Sequence, residues 1–149
     1  LVQGVGLAAP QIGKGIRMFV AALSAPDKNT SQESRHNKVF VNPTLFIDDA
    51  VPPTAYEEGC LSIPGVMVPV LRSEKVTIKY FDEAWQPHEA TYTGFPARIL
   101  QHEYDHLEGK LHIDYASPLK KRRLRGRLKF HLNKFIDLSS FYPNYSMDT

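Results

Sequence analysis

Strands and helices mixed in one chain, the strands first, is the fold class this sequence predicts, and three observations carry it. Val76-Thr77-Ile78-Lys79-Tyr80 alternates in strand fashion, residues 89–93 do so more weakly, and polar residues 82–88 between them predict a hairpin. Residues 94–109 carry helix punctuation: Gly94 ahead, Pro96 in the first turn, Gly109 just past the end. From Ser117-Pro118 to about Leu138, the residues Leu124, Leu128, Leu132, Phe135 and Ile136 recur at helical spacing.

The remaining segments follow in order. Gly4 to Gly15 is glycine-rich and apolar, which predicts an irregular segment with close backbone approach. It is no dinucleotide fingerprint, because Pro10 and Gly13 would break the helix such a motif opens. Ile16 to Ala22 reads as a buried strand. Ser24 to Lys38 is polar throughout and reads as an exposed loop. Val39–Val41 and Thr44–Ile47 read as two short strands broken by Asn42-Pro43. Gly126 weakens the second helix locally by roughly 1 kcal/mol, and residues 139–149 read as a loose tail.

At 149 residues the chain suits a single domain, 1–149, with no repeats. Hydrophobic content of 42% and charged content of 23% are ordinary for a globular protein, and no apolar run is long enough to cross a bilayer. The N-terminus lacks the charged and apolar regions of a signal peptide, and the single cysteine leaves no internal disulfide, as in a reducing compartment. The net charge of +2 hides an asymmetry. Residues 120–134 hold eight of the eighteen basic groups and no acid; elsewhere ten basic groups face sixteen acidic ones. An acidic body with a basic helix is expected.

Chemistry concentrates at His102-Glu103-Tyr104-Asp105-His106. On a helix His102 and His106 lie four apart, so both imidazoles leave one face and can grip one ion. Glu103 starts one residue round and can reach a water held there. Cys60, in Glu57-Glu58-Gly59-Cys60-Leu61-Ser62, supplies a thiolate. Two imidazoles and one thiolate leave a fourth position open, the mark of a catalytic site.

Three separated segments need one explanation: Gly4-Val5-Gly6-Leu7-Ala8-Ala9-Pro10-Gln11, Glu58-Gly59-Cys60-Leu61-Ser62, and Gln101 to His106. Together, in this order, they resemble the peptide deformylase family over about residues 1–119. The resemblance implies an α+β fold, with small antiparallel or mixed sheets packed around a central helix that carries the metal motif, plus a C-terminal helix. It implies removal of the formyl group from the N-terminal formyl-Met of newly made polypeptides. Cys60, His102 and His106 would hold one divalent metal per chain, ferrous iron first, with zinc, nickel or cobalt able to substitute. That choice suits a ligand set softened by a thiolate. Glu103 would move the proton. Gln11 and the backbone N–H of Leu61 would stabilise oxygen charge. Backbone groups of Val5, Gly6 and Gly59 would bind substrate as an added strand.

Helical spacing places Arg98 and Ile99 beside the metal face, and with Phe95 and Val5 they are expected to border an apolar pocket for the Met side chain, the Arg98 charge reaching solvent. Tyr104 and Asp105 point away and read as structural. His36, His88, His112 and His131 read as ordinary surface or packing residues. Nascent chains are the implied partner, with the ribosome met through the basic helix 120–134, no membrane, and a monomer. The implied compartment is the bacterial cytoplasm, or an organelle in a eukaryote. Family members generally carry a helix-containing segment ahead of the glycine-rich stretch, where three residues stand here, and Ser24–Lys38 reads as an insertion.

Two other readings compete. His102 to His112 also satisfies a metzincin protease pattern with His112 as third ligand. That pattern needs a downstream Met-turn, which Met147 sits too near the end to form, and it leaves Cys60 and Gln11 without a task. The basic run could instead mark an RNA-binding accessory protein, but that leaves the metal motif unexplained.

Overall fold

The computed structural model describes residues 5–26 and 33–124. Among the described residues, seven strands form two antiparallel sheets, one of five strands in the order β1-β2-β3-β6-β7 and one of two, β4-β5. The strands are β1 (Gly6–Ala8), β2 (Met18–Pro26), β3 (Glu33–Ile47), β4 (Thr54–Cys60), β5 (Ile63–Arg72), β6 (Lys75–Phe81) and β7 (Pro87–Thr93). Helix α1 (Gly94–Leu107) follows, then a 3-10 turn at His112–Tyr115. All pairings among the described residues are antiparallel, so the α+β expectation holds and its mixed-sheet option does not.

Several local expectations are corrected. The glycine-rich segment is not wholly irregular: Gly6–Ala8 pairs with residues 19–21, and a 3-10 turn at Ala9–Ile12 follows. Pairing of β2 with β3 runs without a break from Met18↔Val41 to Pro26↔Glu33, so residues 24–26 and 33–38 are hairpin legs where a loop was expected. Backbone N–H and C=O groups build such a ladder whatever the side chains, so polarity misleads there. Residues 27–32 lie outside the described set.

Asn42-Pro43 bends a strand without ending it. Val41 pairs Phe81 and Thr44 pairs Lys79, which inserts one extra residue, a β-bulge. Asn42 takes a left-handed φ of 47°, tolerated best by Asn among side-chain residues, and its N–H donates to Arg17 O at 2.8 Å. The β6–β7 hairpin is as expected, with Lys75↔Thr93 through Phe81↔Pro87 in register.

The second sheet was not anticipated. Pro52, Pro53, Pro64 and Pro69 argue against strands there, yet Ile63, Val66, Val68, Val70 and Arg72 are buried on one side of β5. The alternation Val66-x-Val68-x-Val70 was the available signal.

Each sheet owns a core. Phe19, Ala21, Leu23, Phe40, Val76, Ile78 and Tyr80 cover one face of the five-stranded sheet and receive Ala97, Ile99 and Leu100 from α1. Ile63, Val66, Val68 and Val70 of the small sheet pack with Leu111 and Ile113, and Leu124 rests against them. Burying each such side chain contributes about 1.5–3 kcal/mol. Gln101 ties α1 to the β5–β6 turn, donating from Nε2 to Ser73 O at 2.9 Å and accepting from Ser73 N–H at 3.2 Å. Gly109, at φ 68°, ends the helix in the left-handed region where glycine is least strained. A second helix begins at residue 118 as expected and is described to residue 124; its continuation, most of the basic run and the tail lie outside the described residues.

Candidate metal centre

Helix α1 packs on the large sheet, and from Gly94 to Glu103 it borders a cleft of about 490 Å³. Spacing explains which side chains face it. Ala97 and Leu100 turn to the large core, while Ile99, His102 and Glu103 line the cleft. His106, one turn on, is 1% exposed beneath it. Strand β4 delivers Cys60 at the tight turn into β5, where Cys60 pairs Ile63.

One ligand atom each from Cys60, His102 and His106 falls within a group 4.8 Å across, the only His/Cys/Asp/Glu group of this kind among the described residues. Cys60 Sγ stands 3.3 Å from His106 Nε2. A tetrahedral ion at ordinary metal–sulfur and metal–nitrogen distances holds two such atoms about 3.6 Å apart, so the donors fit. His102 Nδ1 meets Glu58 Oε2 at 3.0 Å. A carboxylate only accepts, so that contact places the proton on Nδ1 and leaves the Nε2 lone pair for a metal.

Glu58 is the residue the sequence reading missed. Its side chain, 7% exposed, accepts from Arg72 Nε at 2.8 Å, Arg72 Nη2 at 2.9 Å and Arg98 Nη1 at 2.8 Å besides His102. Burial pushes its carboxyl upward, but hydrogen bonds from His102, Arg72 and Arg98 prevail and hold it at about 2. Position within the Glu-Gly-Cys motif was its only sequence signal, since nothing in that motif says which way a strand residue turns.

The same network corrects Arg98. Its charge does not reach solvent: the residue is 6% exposed, and its guanidinium also donates to Val70 O at 3.0 Å and Thr54 O at 2.7 Å. A carboxylate within reach outweighs water for a group that would otherwise be buried unpaired. Asp105 faces away, as expected, accepting from Arg72 Nη1 at 2.8 Å and from Tyr115 Oη at 2.9 Å.

Electrostatics sharpen the division of labour. Burial works against the Cys60 thiolate, but His102, His106 and His112 hold the thiol well below its usual range. Without a metal, burial likewise opposes charge on His102, yet Cys60 and Glu58 raise it to about 10, so a bound metal would displace the Nε2 proton. Glu103 is 4% exposed, and burial lifts its carboxyl to about 7 against the pull of His106 and His102. Its Oε2 is buried with no hydrogen-bond partner. An orphaned carboxylate oxygen beside a metal-donor cluster suits a group that exchanges a proton.

The structure gathers the other candidates. Gln11 Nε2 donates to Ser62 Oγ at 3.0 Å and lies 3.6 Å from Cys60 Sγ. Val5, Gly6, Gly59 and Leu61 line the cleft, as do Phe95, Arg98 and Ile99. His112 does not join the donors: its Nε2 donates to Val66 O at 3.0 Å, and its ring centre is 6.3 Å from that of His102. His88, on the surface, pairs with Asp82 at 2.7 Å; His131 lies outside the described residues. No helix among the described residues is long and apolar enough to cross a membrane.

The chain is similar to known proteins of one family. The family model described as polypeptide deformylase matches residues 1–122. A peptide deformylase of Cytophaga hutchinsonii is 47% identical over 127 residues, covering 84% of this chain and 66% of that protein. One from Chlorobium phaeobacteroides is 41% identical over 140 residues, covering 94% and 71%. The chain thus spans about two thirds of the length of these relatives. Among solved structures, a peptide deformylase from Legionella pneumophila superposes with a TM-score of 0.71 at 42% identity, over 93% of this chain and 74% of that one.

Proposed function

The chain belongs to the polypeptide deformylase family, and from that premise we propose that it is a metal-dependent hydrolase that removes the formyl group from the N-terminal formyl-Met of newly made polypeptides. One observation carries the reading: a buried, unpartnered Glu103 carboxylate stands beside the Cys60, His102 and His106 donors in one open cleft. A divalent metal held there would supply Lewis acidity, polarising the formyl carbonyl and making water acidic enough to attack.

The side chains would do the rest. Glu103 accepts a proton from the attacking water and delivers it to the departing amine, so water and formyl-amide become formate and a free N-terminus. Burial, which lifts that carboxyl, lets it hold the proton as well as release it. Gln11, its amide nitrogen beside Cys60, donates to the oxygen that gains charge, with the Leu61 N–H as its companion. Val5, Gly6 and Gly59 present backbone at the cleft for an extended peptide. Phe95 and Ile99 give the Met side chain apolar walls, and Arg98 adds its stem while its charge is spent on Glu58.

Ferrous iron is the proposed ion, with zinc, nickel or cobalt as substitutes. The proposed setting is the bacterial cytoplasm, or an organelle in a eukaryotic host, with a monomer acting on nascent chains and residues 120–134 set against ribosomal RNA. The test pairs elemental analysis of protein purified without oxygen with hydrolysis of formyl-Met-Ala-Ser. Cys60→Ala should lose most metal, and Glu103→Ala should keep metal and lose turnover. A Cys60→Ala protein that stays metallated and active would sink the assignment.

A further inference from the structure

Gly6 has a backbone any residue could adopt, since its φ is not left-handed, yet it has no room for a side chain. A Cβ built there lies 2.5 Å from Glu103 Cδ and 2.7 Å from Cγ, and closer still to Oε1. Carbon atoms make no such contacts, so one partner must move. The β1 backbone is held on both sides of the position, with Gly6 paired to Ala21 and Val5 O accepting from Ala22 N–H at 2.7 Å. Glu103 is the weaker holder, because its Oε2 has no partner.

We propose that Gly6 is a positioning residue: its missing side chain is the space in which the Glu103 carboxylate stands, so the strand edge sets where the proton-transferring group sits. This is separate from any contact Gly6 backbone makes with substrate, and its kinetic side rests on the proposed role of Glu103. A carboxylate pushed aside by a methyl group stays on the helix and leaves Cys60, His102 and His106 in place. A displacement of about 1 Å at a reacting group costs on the order of a hundredfold in rate.

The experiment is a double-variant cycle on the metal-loaded and metal-free protein. In Gly6→Ala, kcat for formyl-Met-Ala-Ser should fall on the order of a hundredfold, with KM within about twofold of the parent and metal content unchanged. Thermal unfolding of the metal-free protein gives a readout independent of activity. Gly6→Ala should lower the midpoint by a few degrees with Glu103 present, and by much less in Glu103→Ala. A raised KM with unchanged kcat would overturn the proposal in favour of a backbone role. So would equal losses of stability in the Glu103 and Glu103→Ala backgrounds. If the parent lacks deformylase activity but the stability coupling appears, the functional reading fails and the placement of Glu103 by Gly6 stands.

Discussion

Replacing Glu58 by Gln removes one charge from the centre of a buried network and leaves its volume almost unchanged. Arg72 and Arg98 then face each other's neighbourhood with side chains 4% and 7% exposed and no carboxylate at Glu58's position to answer them, although Arg72 keeps Asp105. Breaking a buried ion pair from one side costs about 3–5 kcal/mol. Linkage gives a similar size by another route. Glu58 is held at about 2 against a usual 4.5, a stabilisation of about 3 kcal/mol. The folded carboxyl is depressed, so this contribution is fully present above pH 4.5 and is lost as pH falls from there through about 2. Glu58→Gln should therefore unfold roughly 10 °C earlier at pH 7, and the gap should narrow below about pH 4.5. One amide oxygen cannot serve both arginines and His102, so metal affinity should fall by about 10–100-fold. Calorimetry of the metal-free protein across pH, with chelator competition for the metal, measures both. Melting within about 1 °C of the parent at pH 7, with affinity within about twofold, would refute the reasoning.

Three further outcomes are expected. Burial raises Glu103 to about 7, so its stabilising contribution is present below pH 4.5 and lost as pH rises through 7; metal-free Glu103→Gln should be more stable than the parent at pH 8, by at most about 3 kcal/mol, and equal to it near pH 4 in urea unfolding. Iron-loaded protein should lose activity in air while nickel-loaded protein persists, because a thiolate on ferrous iron exposes metal and sulfur to oxidation; equal half-lives would contradict this. Changing Arg122, Arg123, Arg125 and Arg127 to Gln should weaken cosedimentation with ribosomes at low salt and spare turnover of short formyl peptides, since phosphate contacts depend on those charges.

By itself the sequence pointed to the candidate donors and to the helix that carries two of them. His102 and His106 share a face, with Glu103 one residue round, because helical period is local, and Gly94, Pro96 and Gly109 bound that helix by backbone rules that need no neighbours. The β6–β7 hairpin was legible for the same reason, its alternation and turn lying within twenty residues. Only the tertiary structure decided the rest. Prolines ahead of β4 and within β5 hid a hairpin whose core partners, Leu111 and Ile113, lie elsewhere in the chain. Arg98 looked like a residue reaching for water until Glu58, forty positions away, was seen to hold it. Gly6 read only as a backbone contact for substrate until Glu103 was seen to fill the space beside it. Period and punctuation are properties of neighbouring residues, whereas burial of a charge, or of a missing side chain, is set by whichever distant segment the fold brings against it.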